Sequence, residues 1–199
     1  MSDRTNYPPA RPGVRVQVLI WRGSGLTSRL IRWQTRGPWS HAALELFGRV
    51  YEARQFRRVQ SRLLPVVAHE AHARGDTLCT LDLWITIPQA QQLRSWLTDQ
   101  LGKKYDWTSV ARFVTRRQNR RERAHVWFCS ELVFAALQKI GHPLLSNTQP
   151  WEVSPSWIPR SLAFIAQPRI LIPGAGPWAE NQLNAGHLLP PQIDPIGIS

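Results

Sequence analysis

The sequence predicts an α+β fold in which an antiparallel sheet packs against helices. Residues 14–21 alternate apolar and polar side chains, as a strand with one buried face does. Residues 41–46 and 49–53 are strand-like runs on either side of Phe47-Gly48, which indicates a tight antiparallel hairpin. Residues 87–101 instead repeat their apolar side chains at helical spacing. Strands joined by a hairpin and longer helices between strands are typical of this fold class.

The elements between these landmarks follow in chain order. Residues 26–33 carry apolar side chains at helical spacing and predict a short amphipathic helix, which Gly37-Pro38 ends. Residues 57–64 predict a further strand, whereas residues 65–75 fit either a helix or a loop. Residues 77–84 alternate as a strand that carries Cys79 on its apolar side.

The C-terminal half predicts a turn at 105–107, a short helix at 109–114, an arginine-rich connector at 115–125 and a buried helix at 126–140. A last helix is predicted over 156–164. From Pro173 onward, proline and glycine recur without periodic apolar residues, which is typical of an extended tail. We therefore expect an N-terminal lead over 1–11, one main domain over 12–172 and a tail over 173–199.

Composition narrows the class of protein. The chain has 199 residues, 43% of them hydrophobic and 19% charged, which fits a single globular domain. The net charge of +12 favours anionic partners, and nucleic acid is one possibility. It is not the favoured partner, because the charge gives only the sign of a partner and does not identify the molecule. The two cysteines exclude a disulfide framework. No apolar run is long enough for a transmembrane segment, and the first residues do not resemble a signal peptide. We expect a cytoplasmic protein, with export by a phage or secretion route left open.

Cys129 and His41 form the candidate reactive pair. Cys129 lies near the start of a predicted helix, where the helix dipole and free backbone amides favour a thiolate. A cysteine nucleophile needs a base, and His41 on a predicted strand supplies one. Small Ala43 lies two residues along the same strand face and leaves room beside the imidazole. Each residue alone also fits an ordinary interior position.

Two carboxylates compete to orient the imidazole. Glu45 lies on the same strand face as His41, and Glu52 lies on the partner strand after the hairpin turn. We favour Glu52, because a carboxylate on the neighbouring strand can approach the ring nitrogen edge-on. Glu45 remains the alternative.

Four segments together resemble a known superfamily. In order they are Ser40-His41-Ala42-Ala43-Leu44, Gly48-Arg49-Val50-Tyr51-Glu52-Ala53, Gly102-Lys103-Lys104-Tyr105-Asp106-Trp107 and Cys129-Ser130-Glu131-Leu132-Val133. They resemble the ordered landmarks of the permuted papain-like NlpC/P60 superfamily. The YiiX-like branch is the nearer one, and lecithin retinol acyltransferase-like proteins are more distant relatives. Histidine before cysteine in the chain is what marks the permuted order.

The resemblance implies a permuted papain-like fold and a cysteine hydrolase of the amidase or peptidase type. In that enzyme Cys129 is the nucleophile, His41 the base and Glu52 the third catalytic residue, with no metal and no cofactor. It also implies that Tyr105 lines the substrate site or assists in stabilising the oxyanion. Arg120 and Arg121 lie in the arginine-rich connector next to Cys129 and are candidate contacts for an anionic substrate, although a solvated loop is the favoured explanation.

The substrate class stays open at this point. A peptide, another amide or an acyl ester fits the same chemistry, so a lipid acyltransferase or phospholipase is an alternative. A basic, non-catalytic module that binds nucleic acid is a second alternative of a different class. The oligomeric state is unknown from the sequence.

Overall fold

The computed structural model of the chain describes residues 13–55, 57–106, 126–142, 148–162, 169–171 and 180–181. The strands are β1 (Val14–Arg22), β2 (His41–Leu46), β3 (Arg49–Ala53), β4 (Val59–Leu63), β5 (Thr77–Ile85), β6 (Lys104–Tyr105), β7 (Val126–Trp127), β8 (Arg169–Leu171) and β9 (Glu180–Asn181). The helices are α1 (Leu26–Thr35), α2 (Leu64–Ala73), α3 (Ile87–Gln100), α4 (Cys129–Lys139) and α5 (Trp157–Leu162), with a 3₁₀ turn at Pro150–Glu152.

The main sheet is antiparallel throughout. Its strands lie in the order β4-β3-β2-β1-β5-β8-β9, and each neighbouring pair is antiparallel. The predicted α+β class with an antiparallel sheet and packed helices is therefore confirmed. A separate small sheet pairs β6 with β7 in parallel.

Helices cover both faces of the sheet. Alternate residues of β1 point to opposite faces, so Leu19 and Trp21 pack with α2, while Val16, Val18 and Ile20 pack with α3 and α4. Burial of these apolar side chains on both faces stabilises β1 as a central strand. The start of β2, next to the end of β1, is consequently held on a rigid scaffold.

The β2–β3 hairpin has the predicted two-residue turn. Phe47 and Gly48 both adopt positive φ, at 53° and 77°, as the turn type that matches the twist of a hairpin requires. The turn fixes the register with Leu44 opposite Tyr51.

Two predicted boundaries are wrong. The buried helix begins at Cys129 rather than at 126, because Val126 and Trp127 pair with β6 instead. For the same reason, the predicted turn at 105–107 begins as strand β6, and Asp106 then donates its backbone N–H to the Trp127 carbonyl at 3.0 Å. The ambiguous stretch at 65–75 forms helix α2.

Helix α1 presents its apolar stripe to solvent, contrary to the usual outcome for an amphipathic helix. Leu26, Leu30 and Trp33 are 82%, 44% and 74% exposed, while Ile31 is the buried apolar residue. The stripe predicted from spacing exists, but it does not face the core.

Several predictions fall outside the described residues. These are the helix at 109–114, the connector at 115–125 with Arg120 and Arg121, and the tail except residues 180–181, which form β9. The proposed domain boundaries stay predictions. Within the described part of the chain, no helix combines the length and apolar character needed to cross a bilayer.

Candidate functional site

His41 is held at the first position of β2, next to the end of β1. The register pairs His41 with Trp21, and their rings lie 4.9 Å apart. Ser40 fixes this junction, because its backbone N–H donates to the Trp21 carbonyl at 2.8 Å and its hydroxyl accepts from the Gly23 N–H at 3.1 Å. The imidazole therefore starts from a backbone position that the two central strands determine.

Glu52 contacts the imidazole directly. His41 Nε2 lies 3.0 Å from Glu52 Oε2, and since a carboxylate only accepts, Nε2 carries the donated proton. Extending the hairpin register from Leu44 opposite Tyr51 places Glu52 opposite Ala43, so Glu52 reaches His41 diagonally rather than from directly across. The small Ala43 side chain leaves space for this approach.

The Glu52 carboxylate is held from its other side by β4. Gln60 Nε2 donates to Glu52 Oε1 at 3.0 Å, and Arg62 Nη1 lies 3.5 Å from the same oxygen. Burial alone would raise the pKa of Glu52, but the hydrogen bond and charge of His41, the amide of Gln60 and nearby Arg54 lower it to about 2. Glu52 is therefore a fixed anion that orients the His41 ring.

Cys129 approaches the imidazole from α4. It is the first residue of that helix and is 1% exposed, and it lies close enough to His41 to raise the pKa of the imidazole. Because Nε2 of His41 donates to Glu52, Nδ1 is the ring nitrogen that remains available to interact with the Cys129 sulfur. The first hydrogen bond of α4 runs from the Leu132 N–H to the Phe128 carbonyl at 3.0 Å, so the first-turn amides are not used within the helix.

The pKa of His41 reports these contacts. Burial would lower it, but the charge and hydrogen bond of Cys129 and then those of Glu52 raise it to about 10. The folded protein therefore favours the protonated, imidazolium form of His41.

Tyr105 belongs to the same buried cluster as Cys129. Its ring is 5.8 Å from that of Phe128, the residue before Cys129. Burial first and the charge of Cys129 second raise the pKa of Tyr105, while a hydrogen bond with Gln55 opposes the rise. Tyr105 therefore stays a neutral phenol beside the sulfur, and its role in binding substrate stays a prediction.

The alternative residues lie elsewhere. Glu45 accepts a hydrogen bond from the backbone N–H of Gly48 and closes the hairpin turn, so Glu52, not Glu45, contacts His41. Cys79 is fully buried in β5, and burial raises the pKa of its thiol to about 12. Cys79 is placed as an inert packing residue, separate from the His41 side chain.

Sequence reasoning missed the residues of β4 that hold Glu52. Gln60 is the register partner of Glu52, and Arg62 lies two residues along the same face. The sequence does show alternate polar residues at these two positions, but that pattern predicts a contact with Glu52 only when the register between β3 and β4 is known. Arg120 and Arg121 lie outside the described residues, so their predicted contacts are not placed.

A cavity of about 610 Å³ lies beside His41. His41 and Glu52 line it together with residues of the loop before α1 and with arginines that follow β3 or belong to β4 and the end of α2.

Across residues 13–55, 57–106 and the later described segments, no group of three or more histidine, cysteine, aspartate or glutamate side chains is arranged to hold a metal ion.

Comparison with known proteins places the fold. No family model matches the sequence, and no curated protein matches it either. Among solved structures, the chain is similar to the crystal structure of the metalloprotein YiiX from Escherichia coli O157:H7, with a TM-score of 0.51 and 18% identity. The match covers 65% of this chain and 66% of YiiX, so the chain spans just under two thirds of that protein. At this identity, the likeness shows a YiiX-like α+β fold and nothing finer.

Proposed function

We propose that this chain is a cysteine hydrolase with a permuted papain-like arrangement, acting on an amide or ester bond. Cys129 is the nucleophile, His41 the general base and Glu52 the residue that orients the imidazole. One observation carries the proposal: the His41 ring bonds to the Glu52 carboxylate, 3.0 Å from Nε2, and the neighbouring Cys129 raises the pKa of the same ring.

In the first half of the reaction, His41 takes the proton of the Cys129 thiol, and the sulfur bonds to the substrate carbonyl carbon. The carbonyl oxygen then carries negative charge, which the first-turn amides of α4 stabilise. The tetrahedral intermediate collapses with cleavage of the bond to the leaving amine or alcohol, which receives the proton from His41. The acyl group remains on sulfur as a thioester.

In the second half, His41 removes a proton from water, and the resulting oxygen nucleophile attacks the thioester carbonyl. The carbon–sulfur bond breaks, the carboxylic acid product leaves and Cys129 regains its proton. Glu52 keeps its charge throughout, since its contacts hold its pKa at about 2, and it stabilises each imidazolium that forms.

The test is selective alkylation in the native protein. Iodoacetamide is a suitable probe because it is small and neutral, and Cys129 is 1% exposed. At neutral pH we expect Cys129→Ser to abolish labelling measured by mass spectrometry, and the matched Cys79→Ser variant to label normally. His41→Ala should slow labelling of Cys129 while the circular dichroism spectrum stays unchanged. Equal and slow labelling of both thiols would instead identify two ordinary cysteines.

The acyl-enzyme identifies the bond that is cleaved. Incubation with a mixture of peptides, other amides and acyl esters should leave one acyl mass on Cys129 and none on Cys129→Ser. If the captured acyl group comes from a lipid ester, the chain is an acyltransferase or phospholipase with the same three residues. Tight, steeply salt-dependent nucleic-acid binding without any acyl adduct would contradict a hydrolase.

A further inference from the structure

The cavity beside His41 is rich in arginine. Four guanidinium groups line it, and we refer to this space as the arginine pocket: Arg54, Arg57, Arg62 and Arg74. Its apolar wall is made by Trp21, Leu26 and Val67. Its volume of about 610 Å³ lies in the range of sites for small organic ligands.

The carboxylates near the pocket do not balance these charges. Glu52 and Asp76 also line it, but Glu52 is committed to His41 and Gln60. One further carboxylate, that of Glu70, is shared by three of the arginines, namely Arg54, Arg62 and Arg74.

Asp76 accepts from the Ser24 N–H at 3.0 Å and from Arg74 Nε at 2.9 Å, so it too is already engaged. Within the described residues, Arg57 contacts no carboxylate, and its side chain is exposed. The pocket therefore keeps an excess of positive charge beside the reactive imidazole.

The N-terminus of α1 opens into the same pocket. Gly25 is the N-cap, its backbone is extended at φ −69° and ψ 163°, and no side chain caps the helix. The first turn of α1 holds no acidic residue, and residues 23–28 line the cavity. Uncapped amides at the positive end of a helix dipole favour an anion, and they face the same space as the arginines.

We infer that the arginine pocket, which His41 and Glu52 also line, binds a phosphate or carboxylate group of a substrate whose carbonyl carbon reaches Cys129. This inference rests on the proposed hydrolase function and narrows its substrate to an anionic small molecule or chain end. Guanidinium groups bind either anion through paired hydrogen bonds, and the apolar wall accommodates the uncharged part of the molecule.

Two variants test the pocket from different sides. Arg57→Gln removes the arginine that contacts no described carboxylate. Gly25→Asp places a carboxylate at the N-cap of α1, where an added Cβ meets nothing within 4 Å and aspartate is a preferred capping residue. Gly25→Asp should therefore raise the melting temperature while its carboxylate occupies the first-turn amides of α1. Weaker anion binding by this variant could then not be attributed to unfolding. Arg94→Gln, on the exposed side of α3, is the control for net charge.

Binding of inorganic phosphate and of succinate is measured by isothermal titration calorimetry at constant ionic strength, so that the two arms distinguish the phosphate from the carboxylate. We expect wild type to bind at least one of them. Arg57→Gln and Gly25→Asp should each weaken that binding about tenfold, the equivalent of one charge-assisted hydrogen bond, and Arg94→Gln should not. Absence of binding in wild type, unchanged binding in both pocket variants, or an equal loss in Arg94→Gln would overturn the inference.

The inference and the hydrolase proposal fail separately. Cys129→Ser should bind phosphate or succinate as wild type does, because the sulfur does not line the pocket. Binding that persists in a chain whose Cys129 is unreactive would leave an anion pocket without the proposed chemistry. A reactive Cys129 without anion binding would support the hydrolase proposal and refute the inference that its substrate is anionic.

Discussion

Replacing Glu52 by glutamine removes the charge that orients His41 while keeping the shape of the side chain. The folded protein lowers the pKa of Glu52 from 4.5 to about 2, so ionised Glu52 favours the folded state by about 3 kcal/mol at pH 7. Because the folded pKa is depressed, this stability is present above pH 4.5 and is lost as the pH falls through about 2. Glutamine mimics the protonated carboxyl, so Glu52→Gln should be less stable than wild type by about 3 kcal/mol at pH 7 and by only about 1 kcal/mol at pH 3.

Urea unfolding of both proteins at the two pH values measures this difference. Glu152→Gln is the matched control, because Glu152 accepts a hydrogen bond from a backbone N–H at an exposed 3₁₀ turn and glutamine serves equally well there. The control should lie within about 0.5 kcal/mol of wild type. A difference for Glu52→Gln that is as small as this, or one that does not shrink on acidification, would refute the assignment of Glu52 as a fixed anion bonded to His41.

Three further predictions test the surrounding structure. The folded protein raises the pKa of His41 to about 10, so the stabilising contribution of His41 is present below pH 6.5 and is lost as the pH rises through about 10. The difference in melting temperature between wild type and His41→Ala should shrink over that window. A constant difference would contradict the ion pair between His41 and Glu52. Thr86→Ala removes the hydroxyl that accepts a hydrogen bond from the Gln89 N–H at the start of α3. The free energy of unfolding in urea should fall by about 1 kcal/mol, whereas removal of an exposed hydroxyl elsewhere on α3 should not lower it by that amount. Leu26→Gln and Trp33→Gln should each change stability by less than about 0.5 kcal/mol, and a loss typical of a core residue would show that the α1 stripe is covered.

The strands and the hairpin could be predicted because their signals are local. The alternation in β1 and the Phe47-Gly48 turn depend on neighbouring residues, and the structure has both. The pairing of His41 with Glu52 was also accessible, since a hairpin of known turn length limits which residues of β3 lie near the start of β2.

Features that depend on distant contacts could not be predicted. The spacing of apolar residues in α1 does not tell which face meets the core, and the exposure of Leu26 and Trp33 is decided by the packing of Ile31 with residues far along the chain. The start of α4 depends on the pairing of β7 with β6, residues separated by more than twenty positions. The contact of Gln60 with Glu52 depends in the same way on the register of β4.

The two halves of the candidate site are fixed by different kinds of interaction. The orientation of His41 is set by ladder hydrogen bonds and side-chain contacts within β2, β3 and β4, because Glu52 and Gln60 hold the ring through adjacent strands. The position of the Cys129 sulfur is set by the packing of α4, whose Val133 and Phe134 are fully buried against the opposite face of the sheet. A change in that apolar packing therefore moves the thiol without disturbing the histidine–glutamate pair. If Cys129 is the nucleophile that we propose, the distance between thiol and base is governed by the core beneath α4, and substitutions in that core should change the reactivity of Cys129.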